Sequence, residues 1–429
     1  MENIENIKGY TMKYGHIVEN LKEYDGFEVP ESAIVDEVLV SYFKEPMSYT
    51  TENMCEINTH GGNIVVKKIL ELCLKNGAEM AEPGEFTKRA FLNGRIDLLQ
   101  AESVIDIIDA KSERELKAGM NQLEGRVSKE IHDIKQKIMD VMVNVEVDID
   151  YPEYDVEEVT NTEINEMLDV VIADLSRLEK SFDNGKILKD GVKTAIIGKP
   201  NAGKSSLLNC ILNEERAIVT EIEGTTRDTI EEFVTVEGVP LKLIDTAGIR
   251  EAKDEVEKIG ITKSKEIAKD ADLIIAIFDS SKDLTDEDKE ILDIIKNKTA
   301  IVVLNKMDLL NKIDENMAEI KNVSKYIVKM STLEQKGIDD LYKSIGNLFS
   351  MEEISLDNTI VITNIRHKNL ISKALNSCRE AKKSMELGMP LDIIAIFLKE
   401  ILENLGEITG ETVTDDIIDE IFSKFCLGK

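Results

Sequence analysis

Eight consecutive residues, Gly198-Lys199-Pro200-Asn201-Ala202-Gly203-Lys204-Ser205, have the types and spacing to grip a chain of phosphates. They fit the pattern G-x-x-x-x-G-K-[ST], in which glycines let the backbone curl until its N–H groups face the ligand. An apolar run precedes the loop and the helical run Ser206-Leu207-Leu208-Asn209 follows, so it should open onto the positive end of a helix. In that setting Ala202, Gly203 and Ser206 line the phosphates, Lys204 holds the β and γ groups, and Ser205 ligates magnesium. Downstream, Asp245-Thr246-Ala247-Gly248 closes the stretch from Leu241 to Ile244, placing Asp245 near the magnesium and the Gly248 N–H near the γ phosphate. Asn305-Lys306-Met307-Asp308 closes another apolar stretch. Asp308 offers two carboxylate oxygens to the two N–H donors on the edge of guanine, a pair that adenine lacks. Ser331-Thr332-Leu333 reads as the last base-contacting loop. Together these elements predict a guanine-nucleotide site.

Such loops need strand ends to hold them. Thr194 to Ile197, Leu273 to Phe278 and Ala300 to Leu304 are short apolar runs separated by charged helical stretches, the alternation of a doubly wound α/β domain. On both sides the pattern becomes helical, as in Ile131, Ile134, Ile138, Val141 and Val145, and later in Leu370, Leu375, Ile393, Ile396, Phe397, Leu402 and Leu405. The expected architecture is multidomain α/β and all-α. A small α+β domain (residues 1–95) precedes a helical segment (96–190), a GTPase domain with a mostly parallel sheet (191–350) and a second helical segment (351–429). The two helical segments are expected to form one discontinuous bundle into which the GTPase domain is inserted.

Composition narrows the setting. The chain has 429 residues, is 42% hydrophobic and carries a net charge of -31, so a broad basic nucleic-acid surface is excluded. Any nucleic-acid substrate must be met through a local basic site or a basic partner. No run approaches the roughly 18 apolar residues of a spanning helix, and nothing resembles a signal peptide. A cytoplasmic protein is the expectation. Cys55, Cys73, Cys210, Cys378 and Cys426 lack disulfide or metal spacing.

One position departs from the common arrangement. Ile249 stands after Asp-Thr-Ala-Gly, where an apolar side chain cannot orient water. Charge stabilisation and water positioning must come from elsewhere: from Glu221 to Asp228, whose Thr226 would close on magnesium, or from the acidic run Asp254-Glu255-Val256-Glu257. Spacing alone leaves Glu257 as either a surface helix charge or a catalytic group. It also leaves Arg95 as a surface ion pair, and Cys426 as either an inert thiol or an activated one.

The phosphate loop, the stretch Glu223-Gly-Thr-Thr-Arg-Asp228, and Asp-Thr-Ala-Gly-Ile-Arg followed by Asp-Glu-Val-Glu resemble the tRNA-modification GTPase family MnmE (TrmE). More discriminating are Glu56-Ile-Asn-Thr-His-Gly-Gly62, the segment Glu82 to Leu98, Leu405-Gly-Glu-Ile-Thr-Gly410 and the terminal Phe425-Cys-Leu-Gly-Lys429, which spread the resemblance over nearly the whole chain. The resemblance implies a potassium ion beside the phosphates, held by Asn201, the carbonyls of Thr220 and Ile222, and Thr225. It implies face-to-face pairing of GTPase domains, with Glu257 orienting water. It also implies a reduced, one-carbon tetrahydrofolate bound by Glu56, Arg95 and Lys429, with Cys426 near the transferred carbon.

A homodimer working with a flavin-dependent partner of MnmG type is then expected to install an aminomethyl-type group on the wobble uridine of tRNA, which it would contact mainly through the partner. The family's usual opening strand and Gly-rich loop, with a folate-touching arginine, have no counterpart here, so a truncated folate domain is expected. The alternatives are a GTP-switched RNA-binding or ribosome-assembly factor without modification chemistry, and a paralogue that keeps GTP turnover but has lost folate use.

Overall fold

The computed structural model describes residues 9–19, 30–150, 157–212, 232–244, 260–313, 318–349 and 361–428. The chain divides into two compact units, residues 1–105 with 406–429, and residues 106–405.

In the first unit, β1 (Thr11–Val18), β2 (Ile34–Phe43) and β3 (Met54–Asn58) form an antiparallel sheet in chain order. Ser41 pairs with Met12 on one side and Glu56 on the other. Helix α1 (Asn63–Lys75) follows, and then α2 (Glu85–Leu92) and α3 (Leu98–Ile108). The unit's core joins distant parts of the sequence: Leu98 and Ala101 on α3 pack with Ile418, Ile421 and Phe422 of the C-terminal helix (Asp415–Phe422) and with Phe425. Gly84 makes the close approach possible. It sits at φ +67, and a Cβ there would lie 2.9 Å from Phe425 Cβ. Residues 406–428 therefore pack with the first unit, although their sequence reads as a continuation of the helical segment.

The second unit contains long helices and a six-stranded sheet. Helix α4 (Glu113–Leu123) starts at Ser112, whose hydroxyl accepts the Glu115 N–H at 3.1 Å, while Glu115 reaches back to the Lys111 N–H at 2.6 Å. The arrangement is a capping interaction that draws the Glu115 carboxyl inside, and burial raises its pKa to about 7. Helix α5 (Arg126–Asp150) buries Ile131, Ile134, Ile138, Met142 and Val145. It packs against α6 (Glu157–Asp190), which in turn packs along the helix Ile365–Glu386, the first of the returning helical segment. On the next helix (Leu391–Thr409) the buried residues include Ile394, Leu398, Ile401 and Leu405, while Ile393 and Ile396 are exposed. The face expected from sequence is thus turned by about one residue. That segment is apolar nearly all round, and periodicity cannot choose between its faces.

The sheet has the order β5-β6-β4-β7-β8-β9, from β4 (Val192–Ile197), β5 (Glu232–Val236), β6 (Val239–Leu243), β7 (Leu273–Asp279), β8 (Ala300–Asn305) and β9 (Tyr326–Lys329). All neighbours are parallel except β5 with β6. Alternate residues enter two separate cores. Ile275, Ile277, Ile301 and Val303 face one side with α7 (Lys204–Leu212) and α11 (Ile338–Leu348). Ile274, Ala276, Val302 and Leu304 face the other with α8 (Gly260–Asp270), α9 (Asp286–Ile295) and the short α10 (Ala318–Lys321). Burial on both faces explains the unbroken apolar runs of the sequence. Completing the numbering, α12, α13 and α14 are Ile365–Glu386, Leu391–Thr409 and Asp415–Phe422. Among the described residues no helix is long and apolar enough to cross a membrane.

Candidate functional site

Strand β4 has β6 on one side and β7 on the other, so the chain leaves it where the strand connections diverge, the usual place for a ligand on an open α/β sheet. The loop that leaves β4 is Gly198 to Gly203, and α7 begins at Lys204. Asn201 adopts φ +60 and Gly203 φ +112. A Cβ at Gly203 would fall 2.1 Å from Asn305 Nδ2, so only glycine allows this approach. The Lys204 ammonium folds back onto the carbonyls of Gly198 at 2.7 Å and Lys199 at 2.8 Å. Burial lowers its pKa. Ser205 and Ser206 lie exposed in the first turn of α7, where the positive end of the helix dipole favours an anion. An exposed serine hydroxyl is also a suitable ligand for a hard cation such as magnesium.

The ends of β7 and β8 form the other wall. Asn305 is completely buried; its Nδ2 donates to the Ala202 carbonyl at 2.9 Å, and its Oδ1 accepts the Thr332 N–H at 3.1 Å. One side chain therefore ties the phosphate loop to the loop after β9. Lys306, at φ +65, donates from Nζ to Asp279 Oδ2 at 2.6 Å. Burial pushes the Asp279 carboxyl upward, but hydrogen bonds from Lys306 and Ser281 outweigh it and hold the pKa below the ordinary value. Asp308 is exposed and accepts the Ser331 hydroxyl at 2.5 Å, which orients its carboxylate at the mouth of the site. The structure thus brings Asn201, Ala202, Gly203, Lys204, Ser205 and Ser206 to one end of the sheet with Asn305, Lys306, Asp308 and Ser331. Thr220, Ile222, Thr225, Thr226, Asp245, Thr246, Ala247, Gly248, Ile249 and Glu257 lie outside the described residues.

Sequence reasoning missed Asp279, Thr285 and Asp288. Asp279 ends β7, which was a legible hint. Thr285 and Asp288 carry the T-x-x-D spacing of a helix cap, and Asp288 pairs with Lys199 of the phosphate loop at 2.5 Å.

In the first unit, Glu56 lies exposed on β3. Arg95 is exposed, donates from Nη1 to the Tyr49 carbonyl at 2.9 Å and stands 4.7 Å over the Tyr49 ring. The Tyr49 hydroxyl meets Thr87 Oγ1 on α2 at 3.0 Å. Cys426 is exposed, and its carbonyl accepts the Gly84 N–H at 3.3 Å, with Leu427 bridging to Pro83. Cys426 is therefore fixed at the start of α2, while Arg95 follows the end of this eight-residue helix, itself about 12 Å long at 1.5 Å per residue. Lys429 lies outside the described residues.

Comparison with known proteins identifies the family. The family described as the MnmE helical domain matches residues 98–426, and the one described as the GTP-binding protein TrmE N-terminus matches residues 2–95. The tRNA modification GTPase MnmE of Clostridioides difficile (strain 630) is 49% identical over 430 residues, covering 100% of this chain and 91% of the relative. That of Thermoanaerobacter pseudethanolicus is 50% identical over 431 residues with the same coverage. Among solved structures, the G domain of the T. maritima FeoB iron transporter matches with 24% identity and a TM-score of 0.25, covering 37% of this chain and 98% of that one. With both family matches and full-length relatives in agreement, the chain belongs to the MnmE (TrmE) family of tRNA modification GTPases.

Proposed function

We propose that this chain hydrolyses GTP in a potassium-dependent cycle and, with a flavin-dependent partner of MnmG type, installs an aminomethyl-type group on the wobble uridine of tRNA. The observation that carries the nucleotide part is the buried Asn305 bridge, which joins the phosphate loop to the Asp308 and Ser331 side of the site. Lys204 and the N–H groups at the start of α7 bind the phosphates, and Asp308 reads guanine. Ser205 and Thr226, with Asp245 near them, would hold a magnesium ion that would offset the charge of the phosphates. Asn201, Thr220, Ile222 and Thr225 would hold a potassium ion, whose fixed positive charge other systems take from an arginine. Thr246 and Ala247 would line the nucleotide, the Gly248 N–H would touch the γ phosphate, and Glu257 would orient water, a task that Ile249 cannot perform.

For the modification chemistry, a one-carbon folate is held by Glu56 and Arg95 with Lys429, and Cys426 meets the transferred carbon. Arg95 fits an anionic group, since one of its five N–H donors is spent on Tyr49 and others are left for a carboxylate. The exposed Glu56 suits the donor edge of a pterin. The chain acts as a cytoplasmic homodimer, and its charge of -31 favours tRNA contact through the partner. Replacing potassium by sodium at constant ionic strength should slow hydrolysis by about tenfold or more with GTP affinity retained; equal rates refute the cation assignment. Nucleoside mass spectrometry of tRNA from a deletion strain should show loss of the wobble modification, restored by the chain and not by Cys426→Ser. Unaltered tRNA in the deletion strain refutes the modification reading.

A further inference from the structure

Of the two lysines in the phosphate-loop motif, Lys199 turns its side chain onto the start of α9. Lys199 Nζ lies 2.5 Å from Asp288 Oδ2 and donates to Thr285 Oγ1 at 2.8 Å. The pair is enclosed, with side-chain exposures of 17% for Lys199 and 5% for Asp288. Asp288 also accepts the Thr285 N–H at 2.8 Å and the Thr285 hydroxyl at 3.0 Å, so the lysine is bound into the cap that starts α9. Its main chain faces the other way. The Lys199 carbonyl accepts Lys204 Nζ at 2.8 Å and the Ala202 N–H at 3.3 Å. One residue thus anchors the loop to α9 by its side chain and supports the phosphate-binding lysine by its backbone, two residues before the left-handed Asn201.

We infer that Lys199, held by Asp288 and Thr285, is a positioning residue for GTP hydrolysis that keeps the phosphate loop in its working shape, and is not itself a phosphate ligand. Swinging Lys199 toward the phosphates would leave the enclosed Asp288 carboxylate without its cation, a costly state inside a protein. The anchor also gives the loop a connection to neighbouring helices. Lys265 on α8 pairs with Glu290 on α9 at 3.5 Å, and α8 follows in sequence directly on the segment that carries Asp245 to Glu257. Without Lys199 the loop would keep its tie to Asn305 but lose this link, and small misplacements of reacting groups cost rate more than affinity.

The inference rests on the GTP-hydrolysis part of the reading above, not on potassium or folate. The test uses the full chain, with GTP turnover, GTP dissociation constant and melting temperature measured for each variant. Lys199→Met should lower kcat about tenfold while KM and the dissociation constant stay within about twofold. Lys199→Arg, which still reaches Asp288, should recover most of the loss. The double variant Lys199→Met/Asp288→Leu replaces the enclosed pair with apolar groups; it should fold and remain as slow as Lys199→Met. If Lys199→Met does not fold, the double variant carries the test alone, and wild-type kcat in it overturns the inference. GTP affinity falling with kcat intact would make Lys199 a phosphate ligand and also overturn it, as would a lower melting temperature with unchanged kinetics. A wild-type chain that hydrolyses no GTP fails the broader reading instead, so the two failures are distinct.

Discussion

At the end of the six-stranded sheet the polar groups are locked to one another, whereas the candidate residues of the first unit stand on its surface. Asn305, Asp279 and Ser331 are buried and bonded across loops far apart in sequence. Glu56, Arg95 and Cys426 are exposed, and among the described residues only Arg95 of the three is held by a side-chain bond. A nucleotide's phosphates demand fixed dipoles in a set geometry, which a doubly wound sheet supplies at its strand ends. Exposed side chains on a small antiparallel sheet are under no such constraint from the fold.

Three substitutions would break or sharpen this contrast. Lys204→Ala removes the charge aimed at the phosphates and should lower GTP turnover by about 10²- to 10³-fold in a phosphate-release assay. Asp308→Asn converts an acceptor of guanine's donors into a mixed group; titration should show GTP affinity falling about hundredfold and affinity for a xanthine nucleotide rising. Asn305→Ala leaves the Ala202 carbonyl and the Thr332 N–H without their partner, and denaturant unfolding should show a loss of about 2 kcal/mol. Little loss there would mean that the two loops are held independently.

The smallest expected effect lies away from both regions, at Glu115. Its folded-state pKa is raised to about 7 by burial, against an ordinary value of 4.5. Between those values the folded chain binds more protons than the unfolded one, so stability falls as pH rises from 4.5 to 7 and then levels off. Glu115→Gln removes the ionisation. Its melting temperature should exceed that of the wild type by about 2 °C at pH 8, with a smaller gain at pH 5. An equal difference at both pH values would contradict the buried, protonated carboxyl.

The strand-end loops were legible in the sequence because such loops demand particular residues at fixed spacing. Gly203 must be glycine where Asn305 Nδ2 would come within 2.1 Å of its Cβ. The Lys199–Asp288 anchor was not legible, because its partners are brought together only by the stacking of β4 beside β7. The buried face of α13 was misread by a residue, since Leu391 to Leu398 is apolar on every side except Asp392. The docking of Phe422 and Phe425 on Leu98 left no local signal, because nothing in a helical repeat says which distant surface it will cover.

Under the proposed function, GTP turnover at the strand-end site drives the modification of tRNA. The most direct test is the amount of modified wobble uridine in tRNA from a strain whose sole copy of the chain carries Lys204→Ala. The account predicts that the modified nucleoside is lost while the variant protein accumulates to wild-type levels. Full modification in that strain would contradict it.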